Sequence, residues 1–270
     1  MLWNAKNGQV AVGGGKMSYV SFGRGRKAFV ILPGLSDGLA TVKGKALMLA
    51  GPYRQFFDRY TVYMFSRRDD LPRDCSIREM AADQAIAMER LGLENAAVMG
   101  VSEGGMVAQY LAIDHPELVK KLVLAVTAPK AGEITKACLA RWTGYAEEGR
   151  HKQLMIDTAE NSYSPACLLK YRKTYAVLGF IGKPSDHYRR FLSNVRAILS
   201  FDASAELSKI ACPTLIIGGE DDKIVGAEGS HELHEAIPGS ELYVYKGLGH
   251  AAYEEAKDFN KRVFEFLEKA

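Results

Sequence analysis

Cysteine is sparse. Four residues, Cys75, Cys138, Cys167 and Cys212, are scattered over 270 positions with no Cys-x-x-Cys or zinc-type spacing. That pattern argues against a disulfide framework or a zinc ribbon and reads as reduced, mostly buried thiols of a cytoplasmic protein. Long hydrophobic runs are missing too. Segments 28–32 and 122–126 are strand-sized, far below the roughly 20 apolar residues that span a bilayer. No apolar signal core stands at the start, so a soluble protein with no membrane partner is expected. Charge of one sign is equally lacking: 35 basic residues face 32 acidic ones, a net charge of +3, and no basic run is interleaved with aromatics. Nucleic acid is therefore not expected as a partner. A metal site is not expected either, because His231 and His234 sit one helical turn apart without a third ligand. Internal repeats and low-complexity tracts are absent.

What is present is apolar content, 47% of the chain, enough for one sizeable core. Its distribution is rhythmic. Segments 17–24, 27–32 and 60–66 read as strands, the last rich in β-branched and aromatic residues. Residues 41–57 read as a helix broken near Gly51-Pro52. Ser76-Ile77-Arg78-Glu79 is a capping box, followed by Ile77, Met80, Ala81, Ala85, Met88 and Leu91 at helical spacing up to Gly92. Segment 96–99 is a strand, the next helix stops at His115-Pro116, and 118–126 leads into and forms another strand. Strand–helix alternation of this kind predicts an α/β fold with a mostly parallel sheet and right-handed crossovers. The rhythm lapses over 128–204, where helical patches such as 137–148 and 167–178 replace strands. It resumes with a strand at 213–218, a helix near 227–237, a strand at 242–245 and a helix from about 254 to 269. The expected organisation is a core of residues 1–127 and 205–270 with an inserted helical cap, 128–204.

The chemistry concentrates where a short apolar strand meets Gly100-Val101-Ser102-Glu103-Gly104-Gly105. Gly-x-Ser-x-Gly between strand and helix puts a serine hydroxyl on a sharp, exposed turn above a helix N-terminus, whose free N–H groups favour developing negative charge. Serine needs a base, and the base an orienting carboxylate. Parallel sheets gather ligand-binding groups at the carboxyl ends of their strands. There the later strands offer Gly219-Glu220-Asp221-Asp222 and then Gly249-His250. Chain order is serine, acid, histidine.

These motifs, with Pro33-Gly34-Leu35 and Asp114-His115-Pro116-Glu117, make the sequence resemble an α/β-hydrolase-fold serine hydrolase, of the esterase and lactonase kind with a helical lid, over most of its length. The resemblance implies a catalytic Ser102, Asp222 and His250, with Asp221 the alternative acid. It implies an oxyanion hole made by the backbone N–H groups of Leu35 and Glu103, and needs neither metal nor organic cofactor. Two departures stand out: Pro33-Gly34 replaces the frequent His-Gly, and Ser66-Arg67-Arg68-Asp69-Asp70 replaces an Asp-x-Arg-Gly-type run. The Glu103 side chain either faces the pocket rim, raising the His250 pKa, or caps the helix toward solvent. Met106, Trp142 and Tyr145 are expected in the substrate pocket, while Tyr163, Tyr171, Tyr175 and Phe180 either join it or pack the cap on the body. The expected reaction is hydrolysis of a small or medium ester by a monomer or homodimer. Lactone or enol-lactone, thioester and C–C hydrolysis use the same residues, and a non-catalytic ligand-binding protein is the rival of another class.

Overall fold

The computed structural model describes residues 2–171 and 182–269. Eight strands form one sheet: β1 (Lys6–Val12), β2 (Gly15–Gly23), β3 (Lys27–Leu32), β4 (Tyr60–Arg68), β5 (Ala96–Val101), β6 (Val119–Ala125), β7 (Thr214–Gly219) and β8 (Glu241–Tyr245). Their spatial order is β1-β2-β4-β3-β5-β6-β7-β8. Only the β1–β2 and β2–β4 pairings are antiparallel; all others are parallel. The chain leaves β3 to one side for β4 and returns to the other side for β5. That reversal opens a crevice beyond the carboxyl ends of β3 and β5, where open α/β sheets bind their ligands.

Alternate side chains on each strand enter opposite cores. Val30, Leu32, Val98, Leu122, Leu124 and Ile216 face one cluster, which is covered by α2 (Ile77–Arg90), α3 (Glu103–Asp114) and α8 (Glu228–Ala236). Phe29, Ile31, Met99, Val123 and Ile217 face the other, with Ala46, Ala50, Phe56, Phe259 and Val263. These come from α1 (Ala46–Ala50), the 3₁₀ turn Gly51–Phe56 and α10 (Phe259–Glu268). The α2 start forms as its sequence dictates: Ser76 N–H donates to Glu79 Oε2 at 2.7 Å while Glu79 N–H donates to Ser76 Oγ at 3.2 Å.

Two expectations need correction, and one strand was not expected at all. β1 carried no strand signal, because it is an edge strand whose first residues are exposed. The expected helix over 41–57 shortens to α1, because Gly44 takes φ +78° and Pro52 lacks the N–H that would carry α1 onward as regular helix. The last helix divides into α9 (Ala252–Glu255) and α10, since Ala256 is extended at ψ 114°.

Between β6 and β7 lie α4 (Glu133–Glu147), α5 (His151–Ser162), α6 (Pro165–Tyr171) and α7 (Arg189–Leu199). Among the described residues the only strand-type pairing in this excursion is the isolated bridge Lys130–Asp202. The expected helical patch beyond 171, with Tyr175, Phe180 and the Tyr171 side chain, lies outside the described residues. No helix among them is long and apolar enough to cross a membrane.

Candidate active site

Strand β5, buried along its whole length, delivers Ser102 to the crevice. The residue sits at φ +54°, ψ −121°, a conformation that costs an L-residue on the order of 1–3 kcal/mol. Its backbone is tied down accordingly. Ser102 N–H donates to the Ala125 carbonyl at 2.9 Å. Its own carbonyl accepts from Thr127 Oγ1 at 2.7 Å and from the Gly105 N–H at 2.8 Å. The flanking glycines are steric requirements: a Cβ on Gly100 would stand 2.3 Å from the Gly104 carbonyl oxygen, and one on Gly104 would stand 2.0 Å from that of Leu32.

The structure brings Ser102, His250 and Asp222 together. Ser102 Oγ is 2.9 Å from His250 Nε2, and His250 Nδ1 is 2.8 Å from Asp222 Oδ2. Asp222 follows β7, and its other oxygen accepts the Ile224 and Val225 N–H groups at 2.8 and 3.0 Å. A carboxylate filled with three donors orients the ring so that Nδ1–H donates to it. Nε2 is then left to accept the serine proton. All three elements converge because β5, β7 and β8 run parallel and end at the same rim. His250 and Asp222 are buried, whereas the neighbouring Asp221 is exposed.

The N–H groups of Leu35 and Glu103 donate to no other described residue. Both residues border a cavity of about 110 Å³ that also touches Ser102 and His250. Met106 and Trp142 are in its wall, as are Thr135, Leu139, Thr158, Ile198, Ile224, Val225 and Tyr253. Trp142 is fixed there by its indole N–H, which donates to Asp157 Oδ2 at 2.6 Å. Tyr145 is outside the wall, with the Arg150 guanidinium 5.0 Å over its ring. Tyr163 is outside it too, hydrogen-bonded to Glu254.

Glu103 fits neither expectation. Its side chain is wholly buried, 0% exposed, and engaged by its neighbours in the protein. The carboxylate lies 3.7 Å from Arg67 Nη2 and accepts from Asn194 Nδ2 at 3.4 Å. Burial pushes its pKa up, with Asp37 adding to the rise while Arg67 and Arg190 oppose it. Asp37 completes the cluster: its Oδ2 accepts from Arg190 Nη2 at 2.6 Å and from the Arg67 N–H at 2.9 Å. Sequence reasoning missed Asp37, Arg67, Arg190 and Asn194. One signal was available: Arg190 and Asn194 are spaced i, i+4 beside Phe191, Val195 and Ile198, which puts polar side chains on the buried face of a helix.

For metal, Glu89, His115 and Glu117 present donor atoms within 4.8 Å of one another, at the end of α3 opposite Ser102 and largely exposed. His234 Nδ1 instead pairs with Ser240 Oγ at 2.9 Å.

Residues 75–257 match the family described as serine aminopeptidase, S33. An Escherichia coli O157:H7 protein carrying the carbamate hydrolase name RutD is 32% identical over 189 residues, 68% of this chain and 69% of its own length. A Pseudomonas sp. protein named 2-hydroxy-6-oxononadienedioate/2-hydroxy-6-oxononatrienedioate hydrolase is 30% identical over 190 residues, 67% of this chain and 65% of its own. The crystal structure of MGS-M2, an α/β hydrolase from a Medee basin deep-sea metagenome library, superposes with a TM-score of 0.87 at 20% identity. It covers 97% of this chain and 98% of that one. The chain thus belongs to the serine aminopeptidase S33 family and is a hydrolase of the α/β-hydrolase fold.

Proposed function

We propose that this hydrolase cleaves a small carboxylic ester through an acyl-enzyme on Ser102. The observation that carries the reading is the unbroken chain from Ser102 Oγ through His250 to Asp222. His250 Nε2 takes the hydroxyl proton as Ser102 Oγ attacks the carbonyl carbon, and Asp222 stabilises the imidazolium. The carbonyl oxygen becomes an oxyanion between the Leu35 and Glu103 N–H groups, each such donor contributing roughly 3–4 kcal/mol to the transition state. His250 then protonates the departing alcohol. Water, deprotonated by the same nitrogen, attacks the acyl-enzyme and frees the acid and Ser102.

The helices between β6 and β7 act as a lid, since α4, α5 and α7 supply Thr135, Leu139, Trp142, Thr158 and Ile198 to the cavity wall. The cavity, about 110 Å³, is small beside the roughly 300–1,000 Å³ of pockets that take drug-sized ligands, which supports a short acyl group. The wall contains no Lys or Arg among the described residues. That supports a neutral substrate over a dioate of the kind named for the Pseudomonas relative. The name RutD favours a second reading, a carbamate, whose carbonyl would meet the same attack and whose carbamoyl group is small enough for the same space.

The test is turnover of p-nitrophenyl acetate against a matching carbamate and a lactone, with labelling by a fluorophosphonate probe. We expect labelling, fastest turnover of the acetate, and loss of both in Ser102→Ala by roughly 10⁴-fold or more. No labelling, together with no turnover of any of the three, would mark a binding protein with an inert serine. Turnover that survives Ser102→Ala would sink the nucleophile assignment.

A further inference from the structure

Beneath the two N–H groups assigned to the oxyanion lies the buried ionic cluster, and two of its five members come from the lid. Leu35 opens the 3₁₀ turn Leu35–Gly38 after β3. Both flanks of that residue are gripped. On one side the Pro33 carbonyl accepts from Arg67 Nη2 at 2.8 Å; on the other, Asp37 Oδ2 accepts from the Arg67 N–H and from Arg190 Nη2. Arg190 also donates from Nε to the Asp37 carbonyl at 3.3 Å, from Nη2 to the Arg67 carbonyl at 2.7 Å and from Nη1 to the Arg68 carbonyl. The second N–H belongs to Glu103, whose carboxylate is held by Asn194 and Arg67. Helix α7 lies directly against the turn: a Cβ on Gly38 would stand 2.8 Å from the Phe191 Cα.

We propose that Arg190 and Asn194 of the lid are positioning residues for the Leu35 and Glu103 N–H groups, acting through Asp37, Arg67 and the Glu103 carboxylate. This rests on the reading of those N–H groups as oxyanion donors. Two effects combine. The guanidinium fork fixes the turn against the end of β4, so the Leu35 N–H is aimed before substrate arrives, and preorganised donors are what stabilise an oxyanion. The cluster also holds two carboxylates and two guanidiniums, so it is formally neutral; removing Arg190 leaves a buried negative charge beside a site that must itself become negative. Arginine suits the role because one planar group serves four acceptors in a fixed geometry.

The experiment is steady-state hydrolysis of p-nitrophenyl acetate by Arg190→Met, Asn194→Ala and the double variant Asp37→Asn/Arg190→Met. Arg190→Met is expected to lower kcat by about 10–100-fold with KM within about threefold of wild type, because misaimed donors raise the barrier rather than weaken ground-state binding. Asn194→Ala is expected to lower kcat by about fivefold with the same split, and it carries the test if Arg190→Met does not fold. The double variant restores neutrality and should recover at least about threefold of the kcat lost in Arg190→Met, a rescue that a purely structural role does not produce. A kcat within about twofold of wild type, a loss confined to KM, or a double variant as slow as Arg190→Met would overturn the proposal. Failure of the underlying reading appears separately, as turnover surviving Ser102→Ala, and takes the proposal with it.

Discussion

Ser102 and Glu103 are adjacent in the chain, yet the two buried polar groups they anchor are built on opposite terms. In the first, the Asp222 oxygens and His250 nitrogens all have partners at 2.8–3.0 Å. In the second, Asp37 Oδ1, Arg67 Nε, Glu103 Oε1 and Asn194 Oδ1 are buried without a protein partner. Desolvating charges is costly, and an ion pair recovers that cost only where geometry is good and the remaining polar atoms are satisfied. The cluster around Glu103 is thus a poor device for stability and is better understood as a device for placement. The chain through His250 is complete in itself, and its value is chemical.

Breaking the satisfied group should have the largest effect. Asp222→Asn keeps the shape of the side chain and an oxygen for the Ile224 and Val225 N–H groups, but its amide no longer demands a proton on His250 Nδ1. The ring then presents the wrong tautomer to Ser102, and kcat should fall by about 10⁴-fold with the fold preserved by circular dichroism. Wild-type turnover in that variant would mean the carboxylate does not orient the base.

A gentler cut separates strain from chemistry. Thr127 donates to the Ser102 carbonyl from a site 1% exposed, and it helps hold the left-handed backbone there. Thr127→Val keeps the volume and removes the donor. It should cost about 1 kcal/mol of unfolding free energy and reduce kcat only a few-fold, read by urea denaturation and steady-state rates. A loss as deep as that of Asp222→Asn would show that the elbow geometry hangs on this one bond.

The same contrast explains which features are legible in the sequence. The elbow was legible because its constraints are local: glycines at 100 and 104 are demanded by backbone contacts within the turn, with Leu32 close by. The order of serine, acid and histidine was legible because parallel strands end at one rim. The capping box at Ser76 was legible because both partners lie within four residues. Strand β1 was not, since an edge strand with exposed positions carries little apolar pattern. The cluster was not legible either. Asp37, Arg67, Glu103 and Arg190 are distant in sequence, and their meeting depends on how α7 folds back over the turn after β3. The departure at Ser66-Arg67-Arg68 carried no sign of a site, yet Arg67 and the Arg68 carbonyl occupy the cluster. Tyr145 lies outside the cavity wall, since being an aromatic of the cap does not tell a wall-facing ring from one covered by Arg150.

The smallest effect should distinguish the two groups by their response to pH. Burial raises the folded-state pKa of Glu103 above the ordinary carboxylate value near 4.3 that it has when unfolded. The folded protein therefore keeps that proton to a higher pH than the unfolded chain does. Unfolding free energy must fall as pH rises from the unfolded pKa toward the folded one, and the whole penalty is present above it. Glu103→Gln removes the ionisation. The stability of the variant relative to wild type should then climb with pH across that window and level off, with titration of other carboxylates cancelling in the difference. Urea midpoints at intervals between about pH 4 and pH 8 would trace it. A relative stability that instead declines with pH would mean that Arg67 and Arg190 outweigh burial, and that the cluster is an ion-pair network after all rather than a buried charge held in place for its geometry.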